Sequence, residues 1–259
     1  MTAAATLPWW GVIAGSAVVL RACLTLPIFV FQQRAASRAQ SLGKVTATWQ
    51  HSMRSSLKLE LASKHLSDEE FEKILKKKLK RKHHDLMLKQ GCHPIMNFLL
   101  PLSQLPIWLS MTYILRHLCG IPLPFFDQAD SVVPAAPGMT TEGTLWFADL
   151  SSADPTYMLS VITGCLYMAN VLLARRMAKM YPPPGVPGAS GSTEQSLLSK
   201  SVGGVIISTP FLMAYIALNQ PASIVFYWAV SAAFSLLQNL VFQNHWLRKT
   251  LKFPHAKKA

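Results

Sequence analysis

The sequence predicts an all-α membrane protein, with five transmembrane helices and a basic helical hairpin between the first and the second. Three observations carry that expectation. The chain is 51% apolar with a mean hydropathy of +0.26, yet its formal net charge is +13. Those values agree only if charge and apolar residues are segregated along the chain, and they are. The apolar residues gather into five stretches, 9–31, 93–117, 155–174, 201–218 and 221–242. The basic residues alternate with them.

The first stretch, WWGVIAGSAVVLRACLTLPIFVF from Trp9 to Phe31, has Arg21 as its only charge. A bilayer core needs roughly 20 mostly apolar residues in a helix. Trp9 and Trp10 suit an interfacial aromatic belt. Residues 1–8 carry no charged side chain, so a basic signal-peptide start is absent and the segment reads as an outer N-terminal piece.

Segment 32–92 holds fourteen of the 25 Lys and Arg residues, and is expected to form the hairpin on the inner side. Leu42, Val45, Trp49, Met53, Leu57 and Leu61 recur at spacings of three or four, as do Phe71, Leu75, Leu79 and Leu86 less completely. Between them, Ser67-Asp68-Glu69-Glu70 has the form of a capping box. The run KKKLKRKHH supplies Lys76, Lys77, Lys78, Lys80, Arg81 and Lys82. Those six residues suit contact with anionic headgroups, ribosomal RNA or a client, and a plain solvated face is the simpler alternative.

The second stretch carries Pro94, Pro101 and Pro106, so a kinked helix is expected. Pro155 suits the first turn of the third, and Arg175-Arg176 mark its inner end. The fourth contains Gly203, Gly204 and Pro210, and the turn Asn219-Gln220 leads tightly into the fifth. PPPGVPGASGST, 182–193, reads as a flexible connector, and no internal repeat is visible.

Charge fixes the expected orientation. Segment 175–200 holds four Lys or Arg, and the short tail 244–259 holds five. Segment 118–154 holds none, but has Asp127, Asp130, Glu142, Asp149 and Asp154. By the positive-inside rule the N-terminus lies outside and the C-terminus inside.

The chemistry on offer is sparse. Cys23, Cys92, Cys119 and Cys165 contain no CxxC and fall at separate expected depths, which argues against a disulfide framework. His83, His84, Cys92 and His93 lie near one another in sequence but match no zinc spacing. No GxSxG occurs, no histidine sits in the middle of a span, and no Asp or Glu lies within any of the five. No enzyme activity, cofactor or metal is therefore expected.

Arg21 is the exception. A cation at the bilayer midplane costs about 3 kcal/mol on insertion scales, and such residues generally face a bundle interior or a wet cavity. Thr25 is one turn along the same face. Gln104, Ser208 and Thr209 are polar groups on other stretches that could share a water-filled recess with it. The alternatives are a packing pin held by carbonyls and hydroxyls, a structural scaffold with no recess, or the anion site of a small transporter or channel. The missing repeat and the odd number of stretches disfavour a transporter.

Several separated pieces, in order, resemble the YidC-type membrane protein insertases. PWWGVIAGSAVVLRACLTLP is similar to their first core helix, with its aromatic–Gly start, arginine and following proline. NFLLPLSQLPIWLSMTYIL, with Pro101, Gln104 and Pro106, is similar to the second. GTLWFADLSSADPTYML resembles the approach to the third, and NQPASIVFYWAVSAAFSLLQN the last hairpin. The resemblance runs from about Pro8 to Phe242. GCHPIMNF and LPWW bring the chain nearest the mitochondrial members that assist cytochrome c oxidase assembly.

The resemblance implies a hydrophilic groove around Arg21 into which a client membrane protein slides. It implies export of the client's polar domain across the mitochondrial inner membrane. The implied partners are cytochrome c oxidase subunit 2, the lipid bilayer and oxidase assembly factors. The short tail NHWLRKTLKFPHAKKA speaks for a post-translational role over ribosome contact. Two features depart from the family pattern. Ser223 stands where many members have glycine, and the Arg-rich presequence of a mitochondrial precursor is not present, so it would have been removed or left out of the reading frame, a bacterial origin being the remaining option that the oxidase-assembly resemblance argues against.

Overall fold

A computed structural model describes residues 7–60, 67–90, 96–121, 134–180 and 197–253. Helix α1 (Trp9–Leu20) runs through one π-helical turn (Arg21–Thr25) into the long α2 (Leu26–Glu60). There follow α3 (Asp68–Lys89), α4 (Met96–Leu118), α5 (Met158–Met180), α6 (Leu197–Ala217), α7 (Ala222–Val241) and the short α8 (His245–Thr250). Among the described residues, strand-like pairing is confined to two isolated bridges, Thr144–Phe147 and Ala153–Pro221. The expected all-α class is observed.

Three helical stretches are long and apolar enough to cross a membrane: Trp9–Leu42, Met158–Met180 and Ala222–Val241. The described part of α6 adds a shorter apolar stretch, Ile206–Ala217. Helix α4 is 23 residues long but is diluted by Asn97, Ser103, Gln104, Ser110 and Thr112, and is not among the three. The connector 182–193 and the end of the expected α2–α3 link, including Leu61, lie outside the described residues, as do Cys92, His93 and Pro94.

The segments form two compact units. The first comprises Met1–Pro27, Pro101–Arg175 and Ser201–Gln243. Its core joins Ile13 and Ala17 of α1, Leu115 of α4, Leu159 of α5 and one long face of α7, from Ala222 through Trp228. α1 packs directly on α7. On α5, a Cβ placed at Gly164 would come within 2.8 Å of the Ala214 Cβ on α6, so only glycine permits that approach without movement.

The segment before α5 closes one end of this unit, and its acids do the closing. The first N–H groups of a helix have no partner within it. At α1 the Trp9 N–H donates to Glu142 Oε2 (3.1 Å), and the Trp9 indole N–H to the Pro137 carbonyl (2.8 Å). At α5 the Asp154 carboxylate accepts from the backbone N–H of Leu159 (2.8 Å) and of Thr156 (2.9 Å), and from the Trp146 indole (3.2 Å). Burial pushes the Asp154 carboxyl up, but these donors outweigh it and hold the group below its ordinary value. The same balance, with Ser151 and Ser152 as donors, lowers Asp149.

The segment is tied onto α7 by backbone bonds from Ala222 N–H to the Ser152 carbonyl (2.7 Å) and from Ser223 N–H to the Leu150 carbonyl (3.0 Å). Ser223 is fully buried, and its Oγ lies 3.1 Å from Cys119 Sγ. The hydroxyl at the position noted above therefore has a partner that glycine could not supply.

The second unit comprises Ile28–Leu100, Arg176–Lys200 and Asn244–Ala259. Here Leu57 of α2 and Leu75 and Leu79 of α3 form a small core with Met53, Phe71 and Ile74, following the three-and-four spacing of the sequence. Arg54 pairs with Glu72, Lys78 Nζ with Glu60 Oε2 (2.8 Å), and Lys82 Nζ lies 5.1 Å from the Trp49 ring centre. The capping box starts α3: the Ser67 N–H donates to Glu70 Oε2 at 3.3 Å. The turn after α8 leads to Phe253, which is fully buried and meets the Phe29 ring edge-on at 6.4 Å.

Candidate functional site: a polar recess around Arg21

Arg21 begins the π-helical turn, and local chemistry explains why the turn is there. Pro27 has no N–H, and in a regular helix its ring would press on the carbonyl of Cys23. Widening the preceding turn relieves this. The Leu26 N–H reaches back to the Arg21 carbonyl, one residue farther than an α-helix allows. The Thr25 hydroxyl donates to the same carbonyl at 2.8 Å. Thus Arg21 and Thr25 are coupled through the backbone and share one face, as their spacing suggests.

The guanidinium extends toward α7, where Arg21 Nε donates to Ser231 Oγ at 2.7 Å. Around it is a cavity of about 240 Å³. Its polar lining is Arg21, Thr25, Gln104, Tyr167, Tyr227 and Ser231. Leu20, Leu105, Ile107 and Trp108 supply the apolar wall. Trp108 stacks on the buried Trp228 of α7 with ring centres 5.6 Å apart and planes inclined at 24°, which stiffens one side. No acidic side chain is among the described lining residues.

The structure brings Arg21, Thr25 and Gln104 to one cavity. Ser208 and Thr209 are elsewhere: both are exposed on α6 and outside the described lining. Sequence reasoning missed Ser231, Tyr167 and Tyr227. A signal existed for two of them. Tyr227 and Ser231 are four apart on α7, as Arg21 and Thr25 are on the first helix and Gln104 and Trp108 are on α4. Three such pairs facing one space become visible only when the helix neighbours are known.

The basic run lies on α3. Lys76, Lys77, Lys78, Lys80, Arg81 and Lys82 are all exposed, while Leu75, Leu79 and His83 turn inward. Burial, with His84 adjacent, keeps His83 below its ordinary range, favouring the neutral ring. Among the described residues no three His, Cys, Asp or Glu side chains could hold a metal ion, and Cys23, Cys119 and Cys165 are free thiols.

The family model described as "60Kd inner membrane protein" matches residues 3–249, nearly the whole chain. The chain belongs to the 60Kd inner membrane protein family. This is the YidC-type family that its motifs resemble. Among curated members, the human cytochrome c oxidase assembly protein COX18, mitochondrial (Homo sapiens) is 28% identical over 255 residues, covering 98% of this chain and 71% of that protein. Its namesake in Schizosaccharomyces pombe is 27% identical, covering 92% of this chain and 94% of that protein. Mitochondrial inner membrane protein OXA1 of Saccharomyces cerevisiae is also 27% identical, over 97% of this chain and 52% of that protein.

Proposed function

We propose that the chain is a membrane protein insertase of the mitochondrial inner membrane, and that the recess around Arg21 receives the polar part of a client. The observation that carries this reading is the hydrophilic cavity itself. A cation, an amide and four hydroxyls line a space between helices, three of which, α1, α5 and α7, lie in stretches apolar enough to cross a bilayer. Moving a polar segment through hydrocarbon leaves backbone groups unsatisfied at several kcal/mol each. A recess reaching partway across shortens that passage, and no closed pore is needed.

The client on this reading is a subunit of cytochrome c oxidase, the second subunit first among them, because the relatives' names tie them to assembly of that complex. Helices α4 and α6 complete a five-span bundle, with α2 and α3 as a hairpin on the matrix side. Residues 118–154 then face the intermembrane space. The exposed lysines of α3 contact the matrix leaflet or the client.

Site-specific photocrosslinking during insertion tests this. Leu105 lines the recess and is 49% exposed, whereas Val161 is 60% exposed on α5 and outside the lining. A crosslinker at Leu105 should capture the client strongly and one at Val161 weakly. Equal capture from both, or none from Leu105, overturns the recess as the client's path.

A further inference from the structure

A second cavity, of about 490 Å³, lies in the other unit, between the third to fifth turns of α2 and the end of α8 with the turn that follows it. It is lined by Arg34, Ser37, Arg38, Ser41, Thr250 and Lys252, together with Gln40. Three cations from two separate segments converge there, and no acidic side chain is among the described lining residues. On α2 the spacing 34, 37, 38 and 41 puts these groups on one helix face.

The arrangement is built by packing. Phe253 is fully buried against Phe29 and sits under the Arg248 guanidinium, 5.7 Å from its ring centre. Arg34 Nε donates to the Leu251 carbonyl at 3.3 Å, leaving its two terminal nitrogens for another acceptor. The hydroxyls of Ser41 and Thr250 donate to the carbonyls of Arg38 (2.7 Å) and Trp246 (3.0 Å), so their oxygens are held in place.

Lys252 is the most telling residue. Its φ is +59°, in the left-handed region where a side chain is strained and glycine is the usual solution at a helix end. The turn is held by bonds from Phe253 N–H to the Arg248 carbonyl (2.9 Å) and from Leu251 N–H to the Leu247 carbonyl (2.9 Å). Lys252 lines the cavity from that turn.

Depth identifies the ligand. Arg34 and Arg38 come three and seven residues after Phe31, the last residue of the first apolar stretch. At helical rise that is about 5 and 10 Å along the axis. A headgroup layer is roughly 5–8 Å thick on each side of the hydrocarbon. Trp246, 69% exposed one turn before Thr250, suits the same layer.

We propose that this cavity binds the phosphate of an anionic glycerophospholipid in the inner leaflet, with Arg34 and Arg38 clasping the phosphate oxygens and Lys252 closing the site from α8. Bound lipid would pin α8 to α2. The site is separate from the Arg21 recess, and it can stand or fall independently of the insertase reading.

The test is native mass spectrometry of the full chain in detergent, titrated with phosphatidylglycerol, phosphatidylcholine or inorganic phosphate. Phosphatidylglycerol should be retained over phosphatidylcholine. Arg38→Gln and Lys252→Gly should each weaken retention by about fivefold, the effect of one basic residue at an anionic surface. Lys252→Gly also relieves the backbone strain, so its loss of lipid cannot be ascribed to unfolding. Lys58→Gln removes an equal charge from an exposed position of α2 outside the cavity lining and should leave retention unchanged. Equal loss in that control, or undiminished retention in both cavity variants, overturns the site. Displacement of the lipid by inorganic phosphate at equal concentration would assign the cavity to a free phosphate and overturn the lipid.

Discussion

At Arg21 two roles compete: a cation that hydrates a recess, and a pin that holds the first helix to α7. The geometry permits both, because Nε is committed to Ser231 while the rest of the group borders the cavity. Substitution separates them. Arg21→Ala removes charge and donors while making the first stretch more apolar, and Arg21→Lys keeps the charge with a different hydrogen-bond geometry. A lost charge-assisted interaction is worth about 1.5–3 kcal/mol, or about tenfold to a hundredfold in rate. Arg21→Ala should therefore reach normal levels in the membrane and export a client's outer domain about tenfold to a hundredfold more slowly. Arg21→Lys should fall between. Loss of the protein itself would favour the pin, and full export would remove Arg21 from the mechanism. The tyrosines were the residues least legible in the sequence. Tyr167 and Tyr227 sit in apolar runs where a ring reads as packing, and only the neighbours reveal that they border a polar space.

At the scale of elements, Glu142, Asp149 and Asp154 have a structural duty. Asp154 is 5% exposed and ties the N-terminus of α5 to Trp146 and Thr156. Its carboxyl is held below the ordinary value of 3.8, so the folded protein favours the charged form. The sign follows from linkage. Above 3.8 both states are ionised and the full stabilisation is present; as the pH falls below it the unfolded chain takes up the proton first, and the stabilisation is lost on passing through the lower folded value. Asp154→Ala should cost about 1–2 kcal/mol as a lost cap. Thermal unfolding in detergent, scanned from neutral pH into the acid range, should show the variant less stable at neutral pH and converging with the parent in acid. A constant gap at every pH would show that the charge is not what stabilises the cap. The sequence showed Asp154 next to Pro155 at a helix start, but the partners Trp146 and Leu159 are brought in by the folded segment.

For the whole molecule, the alternation of basic and non-basic segments predicts its orientation. In mitoplasts with the outer surface exposed, protease should cut within 118–154 and spare 32–92. Cleavage of 32–92 with the tail protected would break the five-span arrangement. Much of this protein was determined by the sequence alone, because hydropathy and charge act locally. They set the helical class, the segregation of charge, the amphipathic faces of α2 and α3 and the capping box at Ser67. The lone arginine of the first apolar stretch is equally plain, since no other charge lies within 9–31. Tertiary structure decided the rest. It set Ser208 and Thr209 apart from Gln104, although all three are polar residues in apolar stretches. It chose Ser231 as the partner of Arg21 across a separation of 210 residues. It also drew Arg34, Arg38 and Lys252 around one cavity. Periodicity says which face of a helix is polar, but the rotation and neighbour of each helix come from packing, and those choose which polar faces share a space.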